Sequence, residues 1–471
     1  MSAMTLMTAA QSSSSEGRAQ RQTGERWVRA LALVAFSVST WILCTLAAGT
    51  WMFAQRMWHP HEAVKAIEAD LGGPITLSYV FLALFASLLV VPTLLGLLTQ
   101  AARANLGGRE GQLAILRLIG ATSGQVRGMM ILDALRQALV GLGVGTVLYL
   151  VSVPAWSLLT FQEKRIGTWE MFTWWVVPVA WIVVLALAAA SVWLALRRVA
   201  VTPLGVTRKI PPKGQSVITL VISVVAMIVL YRYLSALTLA PGADAAEFIM
   251  VLVVVAGVLT VNALIAVGVI QLIARFSYLL PGSANYVATR RVGRGAKTTW
   301  KRVAALYFLA FTAGFCSWIS ALPEVDEDPA LKMITTDIPV GVALTAIFGA
   351  ILLAASTLLT QALAVVEQKH LTKSLYFIGA PAKYHTSVAI REIGVPMALV
   401  TLLGFGMGNL LGSVMVAVPV DVLPKAVLFA ALIGLVLAGC IAAVAATGKL
   451  REHVLAETGR LNDQSLKLSW Y

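Results

Sequence analysis

Hydrophobic positions in this chain gather into long, nearly unbroken runs separated by short polar stretches. The runs fall at about 28–54, 75–101, 129–153, 174–196, 216–235, 248–275, 303–322, 339–366, 394–418 and 425–447. An apolar run of more than about 18 residues is long enough to cross a bilayer. In hydrocarbon the backbone must satisfy its own polar groups, so each run is predicted as a helix. The pattern therefore predicts an all-α integral membrane protein with about ten transmembrane helices. The first run is too long for a signal h-region, and Leu43-Cys44 lacks the small residues of a lipoprotein cleavage site. It is read as an uncleaved span. The polar head, 1–26, and tail, 451–471, are expected to be flexible.

Composition agrees with a membrane class. The chain is 59% hydrophobic and 12% charged, and a soluble protein carries roughly 25% charge. A net charge of +14 raises the question of nucleic acid, but the basic residues recur between spans and do not gather in a soluble domain. They read instead as topology determinants. With both termini in the cytoplasm, most Lys and Arg fall inside, including the cluster Arg290, Arg291, Arg294, Lys297, Lys301 and Arg302. Glu324, Asp326, Glu327 and Asp328 fall outside. Trp51, Trp58, Trp169, Trp174, Trp175 and Trp318 lie near predicted outer ends, as interfacial anchors do. The outer loops, about 55–73, 154–173 and 323–338, are too short to fold as domains. Cys44, Cys316 and Cys440 sit inside apolar runs and read as small buried residues.

The chain also contains a weak copy of itself. Thr99-Gln100-Ala101 closes the second span and Thr360-Gln361-Ala362 the eighth. Leu118-Ile119-Gly120-Ala121 is echoed by Phe377-Ile378-Gly379-Ala380, and Asp133 and Glu392 follow at equal spacing. Trp27-Val28-Arg29 precedes the first span and Trp300-Lys301-Arg302 the seventh. The plan is a first four-helix unit over 27–200, two linking helices within 201–280 and a second four-helix unit over 281–450. Two units of equal orientation suit a pseudo-twofold axis along the membrane normal.

The segment Arg109–Thr122, between the second and third spans, is expected to be a short amphipathic helix. Leu113, Leu116 and Ile119, with Ile115, share an apolar face; Arg109, Glu110 and Arg117 supply charge; Gly120 lets the helix stop. Such a helix can dock on a partner or simply connect two spans. Asp133 and Glu392, each entering the next span, are candidates for holding a transmission region, and Asp133 could pair with Arg136 along one helix face. No phosphate-binding loop is present: Gly295-Ala296-Lys297-Thr298 and Gly448-Lys449-Leu450 lack its frame. His59, His61 and Glu62 do not make a credible metal ligand set.

The order Arg-Glu, Leu-Ala-Ile-Leu-Arg and Ile-Gly-Ala-Thr, followed by Asp133 and by Gly141, Gly143 and Gly145, resembles the FtsX-like permease domain. That domain is the membrane half of MacB-type ABC transporters. Arg197, Arg198 and Thr202-Pro203-Leu204 resemble its usual ending. The four-two-four plan is similar to permeases of the bacitracin-resistance type. The resemblance implies that Arg109–Thr122 and Gln368–Pro381 each rest on one copy of a cytoplasmic ABC ATPase. ATP and magnesium would then be bound by that partner, and this chain would bind no cofactor and have no enzyme activity of its own. The docking residues carried over are Arg109, Glu110, Leu113, Leu116, Arg117 and Gly120, with Lys369, Leu375, Tyr376 and Gly379 in the second copy. The second copy departs, with Gln368-Lys369 for Arg109-Glu110 and Tyr376 for Arg117. The relatives' large extracellular domain is absent from this chain, which leaves room for an external accessory protein.

The resemblance thus implies a permease in a bacterial plasma membrane that exports or extracts an amphiphile such as a lipid, lipopeptide, antimicrobial peptide or hydrophobic drug. The alternative is a non-transporting mechanotransmitter that regulates a surface protein. A secondary transporter would need buried carboxylates at mid-membrane, and the sequence shows none clearly placed.

Overall fold

The computed structural model describes residues 3–71, 75–104, 123–199, 215–236, 245–277, 281–321, 329–367, 374, 379, 382–415 and 421–469. Its elements, in chain order, are α1 (Ala3–Trp58), α2 (Glu62–Leu71), α3 (Ile75–Ala104), α4 (Ser123–Ser152) and a 3₁₀ turn (Val153–Leu158). The hairpin β1 (Thr160–Phe161) and β2 (Lys164–Arg165) follows, then α5 (Thr168–Met171), α6 (Val176–Val199), α7 (Val217–Ala236), α8 (Ala245–Phe276) and α9 (Ser283–Arg294). The chain continues through α10 (Ala296–Ile319), α11 (Pro329–Glu367), α12 (Ala382–Met415) and α13 (Leu423–Ser469).

Among the described residues nine helices are long and apolar enough to cross a membrane, and Val217–Tyr233 in α7 is a shorter apolar helix. The expected ten spans thus become nine plus this one. The whole of α7, 20 residues, rises about 30 Å, the thickness of a typical hydrocarbon core. Many span residues face outward with apolar side chains, such as Leu402, Ile182 and Leu435. Such a surface is stable only against lipid. The chain is an all-α integral membrane protein.

Two expectations change. The polar head and tail continue α1 and α13 as helix. A preformed span supplies the costly nucleus, so adding residues such as Ala, Gln, Arg and Glu costs little. The first two outer loops are also structured. In α2, Val64 and Ile67, three apart, are buried, as one apolar face of a short helix requires. Gln162 and Glu163 turn the hairpin with φ of 57° and 59°. This is the twist a two-residue hairpin needs, though side-chain-bearing residues adopt it at a cost of roughly 1–2 kcal/mol each.

The helix packing repeats. In the first half α1 packs on α3, α4 and α6, and α4 on α6; in the second α10 packs on α11, α12 and α13, and α12 on α13. Glycines set a close helix pair in each half. A Cβ on Gly145 of α4 would stand 2.5 Å from the Ser37 carbonyl oxygen of α1. On α12, a Cβ at Gly404, Gly408 or Gly412 would overlap Tyr307, Phe311 or Trp318 of α10. Small residues at this spacing let helix backbones approach in lipid. Helices α7 and α8 pack on each other and chiefly on the second half, through α9, α10 and α12. The halves meet where α11 packs on α1 and α3, and α10 touches α3.

Candidate functional site

The seam between the halves holds an apolar cavity of about 200 Å³. Four helices wall it: Gly49 and Phe53 come from α1, Phe85 from α3, Phe315 from α10 and Phe348 from α11. Trp156, Phe161 and Met171, from the connection between α4 and α6, close its hairpin end. The walls are apolar for a physical reason. Each contributing helix turns its apolar face inward as well as outward, so the gap between the halves gains little polar lining beyond threonines, Tyr79 and Asp337. Among the lining residues Asp337, on α11, is the single charged side chain.

Asp337 is 5% exposed. Its Oδ2 accepts hydrogen bonds from Tyr79 Oη of α3 at 2.7 Å and from the Gln162 backbone N–H of the hairpin at 2.8 Å. A buried carboxylate needs such donors, because taking it out of water uncompensated costs several kcal/mol. The hairpin is itself pinned. Arg56, at the end of α1, donates Nη1 to the Phe161 carbonyl at 2.8 Å and Nη2 to the Arg165 carbonyl at 3.3 Å. Its Nη2 also meets Glu170 of α5 at 2.6 Å, and Lys164 reaches the other Glu170 oxygen at 2.8 Å. His61 Nε2 donates to the Gln162 carbonyl at 2.9 Å. The Gln162 side-chain amide is buried and finds no hydrogen-bond partner among the described residues.

At the opposite end the seam is held by Gln100. Its Oε1, on α3, accepts from Ser356 and Thr360 of α11 at 3.1 and 2.8 Å. Within the second half, Glu392 of α12 joins three helices, through Arg291 of α9 at 3.1 Å and Arg302 of α10 at 3.8 Å. Within the first half, Gln137 of α4 donates to the Arg29 carbonyl of α1 at 2.6 Å.

The site residues expected from sequence fall into three groups. Arg109, Glu110, Leu113, Leu116, Arg117 and Gly120, and Lys369, Leu375 and Tyr376, lie outside the described residues. Gly379 is described: it sits exposed in a turn with φ of 93°, a left-handed conformation that favours glycine. Of the residues expected to hold a transmission region, Glu392 is the three-helix hub just described; Asp133 is half-buried on α4 and Arg136 exposed. The tryptophans divide. Trp58, Trp169 and Trp174 are exposed, Trp51 makes edge contacts with Trp58 and Trp175, and Trp318 instead donates to Asn409 Oδ1 at 3.2 Å.

Sequence reading passed over Asp337, Tyr79, Gln162, Arg56 and Glu170. Asp337 falls two positions before the predicted eighth span and reads as an outer-loop acid. The usable signal was Met333-Ile334, apolar residues upstream of it, which pull the helix start earlier. Nothing local marks Tyr79 or Gln162 as its partners.

Residues 80–204 match the family described as FtsX-like permease C-terminal. They run from α3 past the end of α6. No curated protein matches the chain. On the family match the chain carries an FtsX-like permease domain and is a transmembrane permease component of the ABC-transporter kind.

Proposed function

We propose that the chain couples ATP hydrolysis by a separate cytoplasmic ATPase to export or extraction of an amphiphile. The observation that carries this reading is the apolar cavity at the seam, walled by helices from both halves. A cavity shared by two bodies changes shape when they move against each other, which is what a power stroke must achieve. Its apolar walls suit cargo already dissolved in the membrane.

The hairpin end then faces outside and the termini lie in the cytoplasm of a bacterial cell. This orientation is supported by the basic residues around α9 and the start of α10 at the far end. Two ATPase copies would dock there on the segments around Arg109–Gly120 and Lys369–Gly379, supplying ATP and magnesium. Movement would pass to Glu392, whose ion pairs tie three helices at that level.

The test is reconstitution of the chain with its ATPase in liposomes loaded with amphiphiles. Stimulated ATP turnover together with loss of amphiphile from the bilayer is expected. Charge reversal at Arg109, Glu110 and Arg117 should abolish both and release the ATPase. Stimulation by a surface enzyme alone, without movement of any amphiphile, would overturn the export reading in favour of mechanotransmission.

A further inference from the structure

We propose that Asp337 anchors the head group of a cationic amphiphile, a molecule with one protonated amine and a long apolar tail. The inference rests on reading the cavity as the cargo site and adds the chemistry of the cargo.

Both protein donors arrive at the same oxygen, Oδ2. Among the described residues Oδ1 receives no hydrogen bond, and no cationic side chain pairs with Asp337. The cations fixed at this end, Arg56 and Lys164, both bind Glu170; Arg56 also attracts the Asp337 charge from beyond ion-pair distance, and Glu163 repels it. The carboxylate therefore keeps one acceptor oxygen for a ligand and a charge that no direct ion pair among the described residues offsets, in a low-dielectric wall where a charge pair is strong. An ammonium supplies the donor and the counter-charge together, whereas an anionic head would be repelled and a hydroxyl would leave the charge unpaired. Aromatic rings flank the same spot. Phe53 lies 5.8 Å from Tyr79 and 5.6 Å from Phe161, centroid to centroid, and ring faces favour cations. The cavity continues along α11 from Asp337 to Phe348, about 16 Å at the rise of a helix. That length suits an extended chain of about a dozen carbons, whose burial contributes roughly 0.8 kcal/mol per methylene.

The test compares radiolabelled dodecylamine with 1-dodecanol, at pH 7, on the full chain in phosphatidylcholine nanodiscs, each corrected for empty nanodiscs. The wild type should bind the amine at least about tenfold more tightly than the alcohol. Asp337→Asn, which still accepts both hydrogen bonds, should bring the two within about twofold. Tyr79→Phe keeps the charge and should keep the preference. Equal binding of amine and alcohol by the wild type, or an unchanged preference in Asp337→Asn, would overturn the head-group assignment and leave the cavity as a cargo site. Binding of neither above empty nanodiscs would overturn both. The wild-type comparison stands even if a variant fails to fold.

Discussion

The two halves share a helix plan and differ in what is built onto it. The first half carries α2, the hairpin and α5 at one end of the bundle, where Arg56 and Glu170 tie the hairpin to α1 and α5. The second half carries α9 and the helices α7 and α8, and its polar hub is Glu392 at the other end. The first set closes the cavity and holds Arg56 at 5% exposure. The second is more open, with the Arg291 and Arg302 side chains each 38% exposed. On the proposed function, the two ends would serve different tasks, the first half enclosing the ligand and the second receiving force. The difference predicts unequal responses to substitution.

The shared plan should be the most sensitive. Gly408→Leu places a side chain against the Phe311 backbone of α10, where neither helix can yield. Overpacking of this kind costs 1–3 kcal/mol and occasionally more, and with backbone as the obstacle the upper limit is expected. A purified yield near zero on size exclusion would agree. Gly143→Ala, on a glycine with open space around it, should behave as wild type. Equal behaviour of the two variants would refute the close helix contact.

Arg56→Met should come next. It leaves Glu170 with Lys164 alone and removes two hydrogen bonds to hairpin carbonyls and two to Glu170. Breaking a fully buried pair costs about 3–5 kcal/mol. Glu170 retains 25% exposure, so about 2 kcal/mol is expected, read as a lower midpoint of thermal unfolding. A drop confined to that end would appear as faster proteolysis of the hairpin before the helices open. Glu392→Gln should cost least, about 1 kcal/mol or below, because exposed ion pairs contribute little. Its effect should instead fall on coupling: the ATPase stays bound while stimulated turnover decreases. A large stability loss with coupling intact would reverse the roles assigned to the two ends.

The spans were legible because each run of apolar residues carries its own signal, independent of any other part of the chain. The glycines on α4 were also visible, and Gly145 does meet α1 while Gly143 does not. The short hairpin was not legible. Gln162-Glu163 lacks the Asn-Gly or Asp-Gly pair that marks a two-residue turn, so the strands read as loop. The Asp337 cluster was hidden for another reason. Tyr79 lies 258 positions from Asp337 and Gln162 lies 175 away, and no local periodicity reports such a meeting. Glu392 was found through the repeat, but its partners Arg291 and Arg302 read as a general basic cluster.

Beside the apolar packing of Phe348, Leu352 and Leu359 into the first half, a polar side chain crosses the seam near each end among the described residues. Asp337 reaches from the second half to Tyr79 and Gln162; Gln100 reaches from the first half to Ser356 and Thr360. Such an arrangement behaves like a door with a catch at top and bottom. On the proposed function, freeing one catch would leave the other as a pivot, so that the halves would gape at one face while staying shut at the opposite one. A channel open to both sides at once would then require both catches to slip together.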